Sequence, residues 1–391
     1  MSFATFKESR RRAARHPAAK LLLHPAITLG GLLILLLQVF FGTLYQANNG
    51  LYEAQRVFFG YVIWIGKVVP VPGASLVLWV LTLQLLVMMA IVLPLSWRKA
   101  GLWVVHAGLA LLLVGGFITQ VMAVESQLTL AEGETGHYTT AYHEWELAAW
   151  TSHGDTNEVV SYVDDDLRPG KVLKLDPWPA RLTVKTYYFN AAAFTTMATG
   201  GVMPYLNASR IASMEPRKPE KEAAQNAPGV IATLHVDGPG APPDRDVLFY
   251  GLERNPLALT LGGEKDGGRV FLQLRRRHYP LDFSLTLTDF KRTVHPGTEV
   301  AKSYESYADL HDGAASRPVK VWMNNPLRYK GYTFFQASFG QDQSGGEQST
   351  FAVVTNPGRV LPYASSLMVF GGMLLHFALG FLGYVRRTAR K

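Results

Sequence analysis

Two histidines stand where hydrocarbon is expected. His106 lies about five residues into Gly101–Val121, GLWVVHAGLALLLVGGFITQV, and His376 lies inside Tyr363–Val385. An imidazole at membrane depth has a donor and an acceptor to satisfy, so ionisable groups there face protein and usually serve a function. Two such rings on different helices suit an axially ligated haem b, which takes imidazole nitrogens at iron and an apolar sheath around the ring. The plainer reading of either position is a histidine that hydrogen-bonds a neighbouring helix. His106 is seven residues from Lys99 and His376 ten from Arg386, a depth difference of about 4.5 Å at 1.5 Å per residue. Arg98 and Lys99 fall within about two turns of His106 and suit the propionates of such a haem. Gly108, Gly115 and Gly116 would let a flat macrocycle approach the backbone, or let two helices approach each other.

Other chemistries find little support. The chain has no cysteine, so it performs no thiol exchange or thioether chemistry itself and carries no disulfide. Neither HExxH nor a Cys/His cluster marks a zinc site. His137, His143, His153, His235, His278, His295 and His311 are scattered among expected loops and strand ends. No Gly-rich phosphate loop, nucleophile elbow or kinase signature is present.

The elements that must position the two histidines are membrane spans. Four apolar windows are long enough to cross a bilayer: 27–45, 74–95, 101–121 and 363–385. The segment 1–26 is a basic leader with no small-residue cleavage site before Gln46, so the first span reads as retained. The net charge of +8 suggests nucleic acid until it is placed along the chain. Residues 122–362 hold 24 Lys and Arg against 28 Asp and Glu, a net of −4. The surplus sits at Lys7–Lys20, Arg98–Lys99 and Arg386–Lys391, the flanks of the spans. The positive-inside rule makes all three cytoplasmic and puts residues 122–362 outside. The five-residue link Ser96–Ala100 makes spans 2 and 3 antiparallel neighbours. Residues 46–73 are aromatic and apolar, and suit an outer interfacial helix or a packed loop.

From Met122 the period changes. Gln127–Leu130, Arg181–Phe189, Val230–Val236, Val247–Tyr250, Arg269–Leu274, Phe283–Phe290, Val319–Met323, Tyr332–Ala337 and Phe351–Thr355 are short, β-branched or aromatic, and separated by Gly, Pro, Asn or Asp. The expected fold is therefore four transmembrane α-helices, three N-terminal and one C-terminal, enclosing a large extracytoplasmic all-β domain at 122–362. Two packed sheets or a distorted barrel would satisfy it. Asn226–Gly229, Asp237–Asp244 and Gly340–Gln348 read as turns or loops. Lys320–Phe339, KVWMNNPLRYKGYTFFQASF, reads as a hairpin-rich segment with turns at Asn-Pro and Lys-Gly.

That stretch resembles the ResB (CcsB) family of cytochrome c biogenesis proteins, whose outer domain carries an N-x-P-L-x-Y-x-G-x-x-F-x-Q-x-S pattern. Here it stands as Asn324, Pro326, Leu327, Tyr329, Gly331, Phe334, Gln336 and Ser338. Phe283–Phe290, Pro296-Gly297, Tyr304–Ser306 and Pro357-Gly358 are similar to flanking family segments. So is the run Trp97, Gly101, His106, Gly108, Gly115, Gly116 and Glu132-Gly133-Glu134. Residues 140–260 carry only the general strand pattern.

The resemblance implies a subunit of the two-component System II cytochrome c synthase of the bacterial inner membrane. That machine moves haem across the membrane and attaches it to the CxxCH motif of exported apocytochromes c. His106 matches the family's membrane haem ligand, paired with a histidine of a CcsA (ResC) partner. His376 is outside the matched pattern. The partner's tryptophan-rich motif is absent, so the chain is expected as a non-autonomous subunit. Expected partners are the CcsA/ResC subunit, apocytochrome c and a thioredoxin-like thiol reductase. Two rivals follow from the residues: a membrane cytochrome b holding haem between His106 and His376, and a haem-free scaffold that docks apocytochrome.

Overall fold

A computed structural model describes residues 3–65, 68–153, 156–195, 203–238, 241–260, 269–298, 301–341 and 346–389. Lys67, the tail residues Arg390 and Lys391, and parts of the expected loops 237–244 and 340–348 lie outside the described residues. The chain divides into a helical unit, residues 1–124 with 355–391, and a β unit, residues 125–354.

The helical unit contains α1 (Phe3–Arg15), α2 (Pro17–Leu22), α3 (Pro25–Asn49), α4 (Leu51–Phe58), α5 (Ala74–Ile91), α6 (Ala100–Met122) and α7 (Leu361–Thr388). Among the described residues, helices α3, α5, α6 and α7 are the four long enough and apolar enough to cross a membrane. Helix α5 stops at Ile91 rather than Leu95 because Pro94 lacks an N–H and disfavours helical geometry just before it. Its carbonyl end is capped from afar: Arg10 Nη2 donates to Leu93 O at 2.7 Å and Met89 O at 3.3 Å. A cation there satisfies orphan acceptors and opposes the negative end of the helix dipole. The leader thus docks on α5 as well as carrying charge. Residues 46–73 are not one interfacial helix. After α4 the chain turns at Gly60 into a hairpin, β1 (Val62–Ile65) and β2 (Val69–Pro72), because β-branched residues and two prolines favour strand over helix.

Helices α6 and α7 make the closest contact. Gly101, Gly108 and Gly115 recur every seven residues, two helical turns, and so form one stripe. A Cβ at Gly101 would lie 2.4 Å from His376 N, at Gly108 2.9 Å from Val369 Cγ2, and at Gly115 2.8 Å from Leu361 Cβ. Gly372 of α7 is held likewise, 2.8 Å from Val105 N. Ascending numbers on α6 meet descending numbers on α7, so the pair is antiparallel. Gly108 and Gly115 therefore serve helix contact and are closed to a macrocycle; Gly116 has nothing within 4 Å.

The β unit begins with β3 (Val124–Ala131), β4 (Thr135–His153), β5 (Thr156–Val163), β6 (Val172–Lys174) and β7 (Ala180–Tyr188). There follow β8 (Ala191–Thr195), β9 (Ile211–Pro216), β10 (Gly229–Val236), β11 (Arg245–Tyr250) and β12 (Leu257–Thr260). The last six are β13 (Arg269–Val294), β14 (Ala301–Asp312), β15 (Ala315–Trp322), β16 (Leu327–Tyr329), β17 (Tyr332–Gln341) and β18 (Glu347–Thr355). One sheet runs β15-β14-β13-β4-β3-β18-β17-β16, with β5 added on β4 and β12 on β13. Strand β15 turns directly into β16, so the two ends of this sheet meet and nearly close a barrel. Leu128, Leu130, Phe283, Leu285, Leu287, Leu310, Val321, Phe334 and Phe351 fill it. The second sheet, β11-β10-β7-β6, packs on the other halves of β4 and β13 around Trp145, Leu147, Leu182, Val230, Val247, Leu272 and Leu274. Both expected architectures are present, and the 26-residue β13 runs through each.

The hairpin-rich segment closes the barrel. Trp322 and Asn325 exchange backbone hydrogen bonds around Met323-Asn324, with Asn324 at φ 61°. Lys330-Gly331, at φ 44° and 86°, joins Tyr329 to Tyr332. Two successive positive φ angles make the tight turn whose twist matches paired strands, and asparagine and glycine tolerate them best. The Lys-Gly turn falls where expected; the other lies just before Asn325-Pro326. Phe334 is fully buried, with Phe283 edge-on at 6.0 Å. Phe334→Ala is expected to cost about 3–5 kcal/mol, read as a lowered midpoint in denaturant unfolding of the purified protein. A loss below about 1 kcal/mol would mean that the barrel repacks around the hole.

Candidate functional site

His106 sits half-buried on α6, with Nδ1 2.7 Å from the carbonyl oxygen of Leu102. A carbonyl only accepts, so in the neutral ring Nδ1 carries the proton and Nε2 the lone pair. That is the tautomer an axial metal ligand needs, held by a backbone partner of the kind that orients ligating histidines. Arg98 and Lys99 are exposed in the turn Trp97–Lys99 that leads into α6. Lys99 precedes His106 by seven residues, about 10.5 Å along the axis.

His376 is placed elsewhere. Its backbone abuts Gly101 on the α6–α7 stripe. His106 lies five residues further along α6, about 7.5 Å in height and about 140° round the helix from Gly101. Gly101 faces α7, so His106 points away from that helix and the two imidazoles do not face each other across the α6–α7 contact. Nδ1 of His376 is buried and has no hydrogen-bond partner among the described residues.

The eight motif residues hold the barrel together. Leu327 and Tyr329 pack against its core, and Tyr329 Oη donates to Asp312 Oδ2 at 2.5 Å. Gln336 accepts from Ser306 Oγ at 2.6 Å and donates to Ser349 Oγ at 3.1 Å. Both serines are fully buried, so this amide satisfies two hydroxyls that would otherwise be costly inside the core. Gln336 also donates to the Ser338 carbonyl. Asn324 and Gly331 supply the turns, and Pro326 follows the first of them.

A second cluster escaped the sequence reading. Arg275, Arg276, Arg277 and His278 lie where β13 passes from one core to the other. Opposite them the register of β4 jumps, with Arg276 across from Trp145 but His278 across from Thr140. Arg276 stacks over Trp145 at 4.0 Å, Arg275 over Trp150 at 5.0 Å, and Tyr138 over His278 at 4.0 Å. Arg275 pairs with Glu146 and Arg277 with Glu144. Arg276 instead donates to the carbonyls of Tyr142 and Ala224. Burial lowers its guanidinium to about 10. Beside it is a cleft of about 590 Å³ lined by Tyr138, Trp145, Gly251–Arg254, Gln273–Arg276 and His278. Burial pushes the Glu253 carboxyl upward. The available signal was three consecutive arginines and a histidine within a strand-patterned run. Among the described residues no group of His, Cys, Asp and Glu is placed to hold a metal.

Burial, with help from the Arg275 charge, pushes His278 down to about 3. Its folded value lies below the unfolded 6.5, so the unfolded chain binds the proton more tightly and stability falls as pH drops from about 6.5 toward 3. Allowing for partial solvent access, the loss from this residue between pH 6.5 and 4 should be about 2 kcal/mol. Denaturant midpoints of wild type and His278→Phe over that range measure it as a difference, since other groups cancel. Parallel curves would show that His278 is protonated without penalty.

Four apolar helices joined to a nearly closed β domain define a membrane-anchored class of protein. Residues 266–360, from β13 through the motif hairpins to the approach to α7, match the model of the ResB-like family. This segment of the chain is thus ResB-like. A stretch of 111 residues is 32% identical to Protein NrfI of Wolinella succinogenes, covering 28% of this chain and 12% of that protein.

Proposed function

We propose that this chain is a subunit of a System II cytochrome c synthase of the bacterial inner membrane, handling haem with a CcsA/ResC-type partner. The observation that carries the reading is His106, whose Nδ1–H is committed to Leu102 O, leaving Nε2 free to ligate. His376 does not face it across the α6–α7 contact, so any second imidazole for the iron would come from the partner subunit. That arrangement ties haem loading to assembly. Arg98 and Lys99, exposed at the start of α6, would face the propionates.

Haem, when bound, would supply an iron that takes an imidazole nitrogen, for which His106 is the candidate, and vinyl groups to which thiols can add. This chain's residues do the rest by position. Leu102 fixes the ligating tautomer. The Gly101 stripe fixes α6 against α7. The β unit offers a rigid surface for the CxxCH apocytochrome, and a thioredoxin-like reductase would keep the cysteines of that chain reduced.

Orientation follows from charge. Arg10 reaches the carbonyl end of α5, Arg98 and Lys99 follow that end, and α7 runs from Gly101 toward Arg386 and Arg387. All three basic flanks thus share one end of the helical unit, which the positive-inside rule places in the cytoplasm. The β unit would then be extracytoplasmic.

Purifying the protein with and without its CcsA-like partner and recording reduced-minus-oxidised spectra tests the reading. Haem is expected only in the co-purified complex. Full haem loading of the lone chain would favour a membrane cytochrome b, and no haem in either preparation would favour a haem-free scaffold.

A further inference from the structure

Strand β13 changes partners midway and leaves part of itself uncovered. On one side it pairs with β4 from Phe271 to Pro280. On the other it pairs with β12 over Arg269–Leu272, and with β14 only from Ser284 onward. Gln273–Phe283 therefore present a backbone edge with no strand partner among the described residues. Four consecutive residues, Gln273 to Arg276, line the cleft of about 590 Å³. Side chains alternate between faces of a strand, so consecutive lining residues mean that the edge itself forms the wall. Pro280 has no N–H to offer, which limits the usable edge to Gln273–Tyr279.

The cleft has a fixed rim and one cation with no carboxylate in direct contact. Gln273 Nε2 donates to the carbonyls of Glu253 and Arg254, both at 3.0 Å, tying the Gly251–Arg254 loop to the strand. Arg275 and Arg277 are matched by Glu146 and Glu144. Arg276, over Trp145, makes hydrogen bonds to two carbonyls; the Asp164 carboxylate acts on its charge through space, but among the described residues no carboxylate is in direct contact with it.

We propose that this open edge of β13 docks an extended polypeptide segment bearing an acidic side chain, which adds as a strand along Gln273–Tyr279 and sets its carboxylate against Arg276. Main-chain pairing supplies affinity without regard to sequence, and the pocket supplies a preference. Such an edge suits a partner that varies from one client to the next. Pro280 and the arginines disfavour indiscriminate pairing of two copies of this chain. On the function proposed above, on which this inference rests for the partner's identity, the segment belongs to the apocytochrome c chain.

The absence of cysteine makes the test clean. Leu252→Cys places a single thiol on the exposed rim of the cleft, and Val172→Cys places one at a comparably exposed site on β6. The full-length protein in detergent is offered synthetic SxxCH peptides, flanked by glutamate or by lysine, whose cysteine is activated as a 2-pyridyl disulfide, so that exchange with the protein thiol forms the mixed disulfide and releases pyridine-2-thione. Disulfide capture by Leu252→Cys is expected to be about tenfold faster than by Val172→Cys, and faster for the glutamate peptide. A serine version of the glutamate peptide should slow amide exchange of Gln273–Tyr279 about tenfold in the wild type. Equal capture at both thiols, unchanged exchange, or equal slowing by glutarate alone overturns the proposal. If the edge is inert while cytochrome c maturation still requires His106, the docking site fails and the synthase reading stands. If the peptide docks while maturation ignores His106, the reverse holds.

Discussion

Gly101→Val is expected to pull α6 and α7 apart. The added Cβ would lie 2.4 Å from His376 N, 2.6 Å from Gly372 O and 2.6 Å from His376 Cα. All three are backbone atoms, so no side-chain rotation relieves the overlap and α7 must shift as a body. Core overpacking that flexible side chains absorb costs about 1–3 kcal/mol; a clash with helix backbone should exceed that range. The same substitution at Gly116, which has nothing within 4 Å, is the control. It should be tolerated, because glycine is a poor helix former and its replacement offsets some cost. Thermal unfolding in detergent, followed by protease sensitivity of the link between β18 and α7, would read the difference. Equal melting of the two variants would mean that the stripe does not hold the pair.

The same glycines show what was legible in the sequence and what was not. Four apolar windows of sufficient length, basic flanks and a switch to short β-branched runs gave the architecture, because each is a local signal with a single physical meaning. Gly108, Gly115 and Gly116 looked alike as small residues in a span. Which of them faces a helix depends on the register of α7, and nothing local encodes that. In the β unit, Lys330-Gly331 was readable because the turn chemistry is local. The long strand β4, the pairing of β13 with three different strands and the placing of Arg276 over Trp145 arise from contacts far apart in sequence. The motif residues were recognisable as a pattern, yet their work as turns, buried rings and the Ser306–Gln336–Ser349 network became clear only once the barrel closed on them.

His106→Ala and His376→Ala should behave very differently, although both remove an imidazole from a membrane helix. Of the two, His106 is the ring whose Nδ1 is held by a backbone carbonyl with Nε2 left for ligation, and holocytochrome c is expected to fall by about two orders of magnitude on its loss. That is at the upper end of what losing even an orienting partner costs a metal site. Loss of His376 removes a buried Nδ1 that has no hydrogen-bond partner among the described residues. Deleting an unsatisfied polar group relieves a desolvation penalty instead of creating one, so that variant should keep maturation within about threefold. Adding imidazole to His106→Gly should restore part of the haem spectrum, because a free ring can occupy the space and present the same nitrogen; a packing defect would not respond. Equal losses from the two alanine variants would mean that both rings serve one haem. The α6–α7 register seen here, with His106 turned about 140° from the stripe that holds His376, would then have to change when haem binds.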